Sequence, residues 1–493
     1  MSNPDRKLRV LCDLRPALDG HSGIPQAARL LFRELAAIPS LHVGGLIQHG
    51  AHLLAPGLPS DCNLRDVQLS AHSRIDRLGR VVISIEEQRF KSHIPATAYM
   101  LWMTLAQLFG MKHKLTRFDG RRFPDYLWRR LFEKTLLPED FDLVVNRTFR
   151  ILRAPWHAHH LAGLWTRWLG SAKYPRIDTR GIDVLVSETP FPGVVSPGTA
   201  LIIRYHDAIP LTMPHTIKGR RYHQAAHYNA LKSNVLNGAW FACASESTRQ
   251  VLLSLFPCVE ARAVTIQNTI SHHYYREDSN PSLVREIASL RVSNYMRALS
   301  APRLTEWLSE PEKNVSFDYL LTVSTLEPRK NHLKLLSAWE QLRTHGHPDL
   351  KLIVVGERGW QSEEILRAFR PWMERADLLQ IEDVPTSELR VLYRHAKITV
   401  CPSLAEGFGY PGIESLYSGG TVAASDIPAH REVYGAAAAY FNPHSATDMR
   451  LILSRTITEQ QVVKLKPAPI YNKSTETTSD WTLLFDSIRV TRQ

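Results

Sequence analysis

Residues 398–424, ITVCPSLAEGFGYPGIESLYSGGTVAA, decide the fold. Ile398–Cys401 is an apolar, β-branched run that reads as a buried strand, and Val422–Ala424 reads as another. Between them Pro411 marks the first turn of a helix that runs to about Tyr417. Working outward, Tyr319–Val323, Leu350–Val355, Leu378–Ile381 and Ala439–Phe441 also read as strands. Helical stretches at Leu333–Leu342, near 361–370 and at Ser387–His395 separate them. Strands alternating with helices at this spacing predict an α/β, doubly wound parallel sheet over 317–470.

The first half repeats the pattern more faintly. Leu8–Asp13 is a strand, and Gln26–Ala37 is an amphipathic helix with Pro25 in its first turn. The loop between them, with Gly20 and Gly23, is either an ordinary βα connection or the start of a nucleotide-type domain; it is not GxGxxG. Ile182–Ser187, Thr199–Tyr205, Ala239–Ser245 and Val264–Gln267 read as further strands, and Ser245 as the N-cap of a helix over 246–255. We therefore expect an N-terminal domain over 1–275, with an insertion near 60–180. A linker over 276–316 should follow, and a closing segment, 471–493, whose Trp481–Ile488 part is expected to cross back to the first domain.

Of the 493 residues 44% are hydrophobic and 22% charged, which excludes a disordered, collagen-like, coiled-coil or polytopic membrane chain. Cys12, Cys62, Cys243, Cys258 and Cys401 lie too far apart for a disulfide scaffold or a zinc site, so a reducing, cytoplasmic setting is expected. No signal-type segment precedes the first strand. With 60 Lys+Arg against 48 Asp+Glu, the net charge of +12 favours anionic partners: phosphate ligands, an acidic membrane face or nucleic acid. Residues 93–110, HIPATAYMLWMTLAQLFG, admit three readings: a buried helix, an interfacial element on an anionic membrane, or a span. Basic and aromatic residues at 117–130 follow it.

Ligands of open parallel sheets sit beyond the carboxyl ends of the strands, so the loops there are the place to look. Arg329 and Lys330 lie in such a loop, just before a helix whose positive end welcomes a diphosphate. In 406–414, Gly407 and Gly409 let the backbone approach a ligand closely. Glu406 and Glu414 flank that helix start; carboxylates repel phosphate but accept hydrogen bonds from sugar and ribose hydroxyls. Gly356–Trp360 is a Gly-flanked turn, a plain loop or a third ligand element. Cations for a pyrophosphate beside carboxylates for hydroxyls suit a nucleotide sugar.

The segment 401–443, CPSLAEGFGYPGIESLYSGGTVAASDIPAHREVYGAAAAYFNP, strongly resembles the signature of retaining GT-B glycosyltransferases of the family 4 type, with the Glu-x7-Glu motif at Glu406 and Glu414. TVSTLEPRKNHLKLLSAWEQL (322–342), LKLIVVGERGW (350–360) and SELRVLYRHAKITVCPS (387–403) match the same family in order. So do islands in the first half: DLRPALDGHSGIPQAARLLFREL (13–35), IIRYHDAIPLTMP (202–214) and ACASESTRQVLL (242–253). The chain departs from the family at Ser324-Thr325, where many relatives place an Arg, and at Thr421, where a Pro is usual.

The resemblance implies two Rossmann-like domains facing a cleft, the C-terminal one holding the nucleotide sugar. It implies that Glu406 contacts the donor sugar with the Gly407, Phe408 and Gly409 amides, and that Glu414 binds ribose. Arg329 and Lys330 would neutralise the departing diphosphate, His206 would touch the sugar near the reacting carbon, and Gly23 would lie against diphosphate or acceptor. Asp207 either orients His206 or caps a helix. The ligand loops carry no Asp-x-Asp motif, so neither a metal nor another cofactor is expected. The EPRKN and HDAIPL forms resemble transferases that build bacterial surface polysaccharides, which implies GDP-mannose as donor and a saccharide or lipid-linked saccharide as acceptor. The expected place is the cytoplasm, peripheral on the inner membrane face. The alternatives are an epimerase or phosphorylase on the same scaffold, a catalytically dead module, and a basic nucleic-acid-binding protein, the last requiring a basic face with interleaved aromatics.

Overall fold

The computed structural model describes residues 6–18, 20, 23–59, 71–87, 101–106, 109–167, 170–217, 219–309, 317–462 and 473–491. Two sheets organise the chain. The N-terminal lobe has eight strands in the order Ala263–Thr265, Trp240–Cys243, Ala200–Tyr205, Val184–Ser187, Leu8–Asp13, Leu41–Ile47, Thr148–Ile151 and Thr116–Phe118. All pair in parallel except the last, which runs antiparallel at the edge. The C-terminal lobe has six parallel strands, ordered Leu378–Ile381, Lys351–Val355, Tyr319–Val323, Ile398–Cys401, Val422–Ser425 and Ala438–Phe441. Leu352, Ile353, Val354, Leu378, Leu379 and Ile398 are fully buried, as continuous apolar runs covered on both faces should be.

Strand order reverses once in each lobe, between Leu8–Asp13 and Val184–Ser187 and between Tyr319–Val323 and Ile398–Cys401. At such a switch point neighbouring loops diverge and leave a crevice. The loop after Tyr319–Val323 carries Arg329 and Lys330, and the loop after Ile398–Cys401 carries Glu406.

Three stretches differ from the sequence expectation. Residues 60–180 supply the Thr116–Phe118 and Thr148–Ile151 strands of the main sheet, so much of the expected insertion is part of the domain. Leu283–Arg291, Asn294–Arg297 and Pro302–Ser309 are helices, and Val284, Ile287, Ala288, Met296 and Leu304 join the C-terminal core rather than a linker. The Leu41–Ile47 strand had no sequence counterpart. The Lys473–Thr491 helix places Trp481, Leu484, Phe485 and Ile488 in the N-terminal core, against the helix Ile24–Ala37. Residues 93–100, 107 and 108 of the apolar 93–110 region lie outside the described residues, as does Cys62. Among the described residues, no helix is long and apolar enough to cross a membrane. Cys12, Cys243 and Cys401 are free and buried, and Cys258 is free and exposed.

Candidate functional site

A cavity of about 450 Å³ lies between the lobes. Gly23 and His206 reach it from the N-terminal lobe, and Arg329, Lys330, Glu406, Gly407, Phe408, Gly409 and Glu414 from the other. All nine residues singled out from sequence therefore meet in one place. Gly356 and Glu357 line it too, as do Ser324, Thr325, Asp383, Val384 and Thr386.

Glu406 is the hub. Lys330 Nζ donates to its Oε1 at 2.5 Å, Ser403 Oγ to the same oxygen at 2.7 Å, and Arg329 Nη1 to Oε2 at 3.1 Å. Two further bonds hold the loops in register. The Leu404 amide donates to Arg329 O at 2.9 Å, and Asn331 Nδ2 to Pro402 O at 3.0 Å. Asn331 takes the left-handed conformation, φ 62°, that turns the 328–330 loop into the following helix, His332–Thr344. Burial alone would raise the Glu406 pKa, but the Lys330 and Arg329 charges outweigh it and hold the carboxyl well below its usual range. Glu327, also buried and 3.6 Å from Arg329, is pushed up by burial against the pull of both cations.

The Tyr410–Tyr417 helix starts at the cavity, with Gly409 in the left-handed region (φ 90°) as its N-cap. Its positive end points where Arg329 and Lys330 already concentrate charge. Gly407 marks where the lobes touch: a Cβ there would stand 1.8 Å from the His206 carbonyl oxygen. Any side chain would push the lobes apart.

Glu414, one turn into that helix, accepts from Gln26 Nε2 of the other lobe at 2.9 Å and from Tyr393 Oη at 3.1 Å. Burial raises its pKa to about 7, although these donors pull it down. The unfolded chain releases this proton at the ordinary glutamate value of about 4.5 and the folded chain at about 7. The free protein therefore loses stability as pH rises from about 4.5 to about 7, by on the order of 3 kcal/mol, and loses no more above that. Glu414→Gln should remove this slope. Urea midpoints at about pH 5 and about pH 8 measure it, and equal slopes in parent and variant would refute it.

His206 ends the Ala200–Tyr205 strand, and its Nε2 meets Glu188 Oε2 at 2.9 Å, both side chains buried. Glu188 follows the neighbouring strand, Val184–Ser187, at the switch point; sequence reading missed it. A carboxylate on Nε2 fixes the imidazole tautomer and its orientation. Asp207 takes the capping role: its Oδ1 accepts from the Ile209 amide at 2.9 Å. Glu188→Gln is expected to keep the fold and lower turnover by roughly tenfold to a hundredfold with donor KM nearly unchanged, and Glu188→Asp to restore part of it. Equal kcat in parent and the Gln variant would leave Glu188 a packing residue. Gln26, Lys134, Thr135 and Tyr274 also line the cavity without having been singled out from sequence. Among the described residues, no group of three His, Cys, Asp or Glu side chains is placed to hold a metal.

Cations, a helix start and hydroxyl-accepting carboxylates thus converge at the switch point of the second lobe. The family described as "Glycosyl transferases group 1" matches residues 305–466, the segment that carries Arg329, Lys330, Glu406 and Glu414. The C-terminal lobe is a group 1 glycosyl transferase domain. The chain is similar to the serotype-specific mannosyltransferase WbdA of Escherichia coli, 25% identical over 257 residues, 52% of this chain and 29% of that protein. It is also similar to O-antigen chain mannosyltransferase B of Escherichia coli, 32% identical over 126 residues, 26% of this chain and 33% of that protein. The matched stretches span about a third or less of each of these two relatives. Sucrose-phosphate synthase from Thermosynechococcus elongatus superposes on the group 1 domain and the N-terminal lobe together, with a TM-score of 0.51 at 13% identity and 99% coverage of both chains. That likeness concerns the fold, which is GT-B: two α/β lobes about a cleft.

Proposed function

We propose that this chain is a retaining glycosyltransferase that moves a hexosyl group, mannose, from GDP-mannose to a saccharide or lipid-linked saccharide in surface polysaccharide (lipopolysaccharide) synthesis. The observation that carries the reading is the Arg329–Lys330–Glu406 clamp, set at a helix start inside a cavity shared by both lobes. The two relatives named as mannosyltransferases support mannose; GDP follows from the resemblance of the EPRKN and HDAIPL forms alone.

In this reading Arg329, Lys330 and the start of the Tyr410–Tyr417 helix hold the diphosphate. Glu406 turns its oxygens to the sugar hydroxyls, and Glu414 exchanges Gln26 for ribose. The bond from the anomeric carbon to the diphosphate oxygen breaks while the acceptor oxygen bonds that carbon from the same face. The acceptor proton passes to the departing phosphate oxygen. Fixed cations stabilise the growing negative charge without reorganising, which makes a metal or other cofactor unnecessary. His206, held by Glu188, borders the reacting carbon from the acceptor side. The reaction is placed in the cytoplasm, with an acceptor at the inner membrane face; nucleic acid has no part in it.

A thermal-shift series with GDP-mannose, GDP, UDP-glucose and UDP tests the reading. GDP and GDP-mannose at about a hundred times Kd should stabilise the protein by about 2.7 kcal/mol, a shift of a few degrees. A response to UDP compounds alone would replace the donor, and no response to any nucleotide would remove the function.

A further inference from the structure

We propose that residues 101–106 and 109–114, the Trp156–Thr166 helix and the Arg220–Leu236 helix form a face that docks this chain on an anionic lipid bilayer, with lipid phosphates seated in a cavity beside the two helices. The inference gives a location to the membrane contact in the functional reading, but it rests on residues that do not line the donor cavity.

Three observations converge. The first is apolar. Residues 101–106 are helical, and Met103 is fully buried against Ala154 and Ala158, which anchors one side. Leu101, Trp102 and Leu105 are nevertheless about half exposed, Phe109 is 81% exposed and Met111 53%. At the far end of the Trp156–Thr166 helix Trp165 is 51% exposed, and at the end of the Arg220–Leu236 helix Leu236 is 74% exposed. Single exposed apolar residues need no explanation, but a group of large ones with two tryptophans marks an interaction surface.

The second is a cavity of about 890 Å³ where the chain leaving the Trp156–Thr166 helix meets the Arg220–Leu236 helix. Arg167, Arg221 and Lys232 line it with Tyr228, whose ring stacks on Phe256 at 6.1 Å, and among the described residues no carboxylate lines it.

The third is charge. Segments 101–114, 156–178 and 219–246 hold eight Lys and Arg against only Asp178 and Glu246, so they supply half of the chain's net charge of +12. These segments belong together in space: the two helices pack on each other, and His113 lies 5.6 Å from His159. Aromatic and aliphatic side chains flanked by cations are what an interfacial element presents to anionic headgroups. The basic run expected from sequence at 117–130 is less free to do this. Arg130 pairs with Glu86 at 2.8 Å and donates to Leu18 O at 2.6 Å.

Flotation of the full chain with vesicles of equal phosphatidylcholine and phosphatidylglycerol tests the proposal. The parent should float with them, far less with phosphatidylcholine alone, and less as salt rises. The exposed triple variant Arg167→Glu, Arg221→Glu, Lys232→Glu should lose partitioning on the order of a hundredfold. The pair Trp102→Ala, Phe109→Ala should lose about tenfold or more. Both should keep the parent's thermal response to nucleotides, so failure at the membrane and failure at the donor site are read separately. A parent that does not float, a triple variant that floats like the parent, or stronger binding to soluble dextran sulfate than to vesicles would each overturn the assignment.

Discussion

Glu406→Gln is expected to cut glycosyl transfer by about two to three orders of magnitude while binding of the nucleoside diphosphate stays intact or tightens. The carboxylate holds both cations, Lys330 at 2.5 Å and Arg329 at 3.1 Å. Gln keeps the shape but removes the negative charge, so the two cations are freed toward a diphosphate. On the proposed reading, what is lost is the charge and one of the two acceptor oxygens turned to the sugar, an interaction needed when the anomeric bond opens. The 13% exposed carboxylate is enclosed enough for its charge to matter but borders a cleft, so water can reach the freed cations and folding should survive. Single-turnover transfer and nucleotide titration on the same preparation separate the two effects. Unimpaired transfer would refute the role.

Lys330→Ala should move nucleotide affinity the other way. Its ammonium is one of two cations beside the start of the Tyr410–Tyr417 helix, and a charge-assisted bond to a phosphate oxygen contributes about 1.5–3 kcal/mol. Diphosphate binding should weaken about tenfold to a hundredfold, and transfer should fall by about two orders of magnitude or more, because the leaving group loses its fixed charge. Lys330→Arg should restore only part of this, since a planar fork does not reproduce the point charge that meets the Glu406 oxygen to which Ser403 also donates. Opposite signs of nucleotide affinity in the two variants are the diagnostic result. If Lys330→Ala binds nucleotide as the parent does, the diphosphate lies elsewhere.

Legibility in the sequence followed burial and spacing. The C-terminal lobe was readable because its strands are covered on both faces and appear as unbroken apolar runs, and because its ligand loops carry a dense signature. The Leu41–Ile47 strand was hidden by Gly44 and Gly45, which break the apolar pattern for a reason visible only in three dimensions. A Cβ at Gly44 would stand 2.6 Å from Thr148 Oγ1 on the neighbouring strand. The strands Thr116–Phe118 and Thr148–Ile151 have three and four residues, too short for periodicity to register. The helices over 283–309 carry apolar residues at 284, 287 and 288, helical spacing that polar neighbours obscured. Of the site, the residues within one loop motif were found. Those that depend on a partner remote in sequence were not: Gln26 meets Glu414 across 388 positions, and Glu188 meets His206 only because their strands are neighbours.

The return of the Lys473–Thr491 helix to the N-terminal core has a mechanical consequence. The Ala446–Val462 helix packs on the second lobe and the next helix on the first, so the polypeptide passes from lobe to lobe twice. The N-terminal core is thus built from two stretches of chain with the second lobe between them, so the lobes are joined covalently at two places as well as meeting where Gly407 lies against the His206 carbonyl.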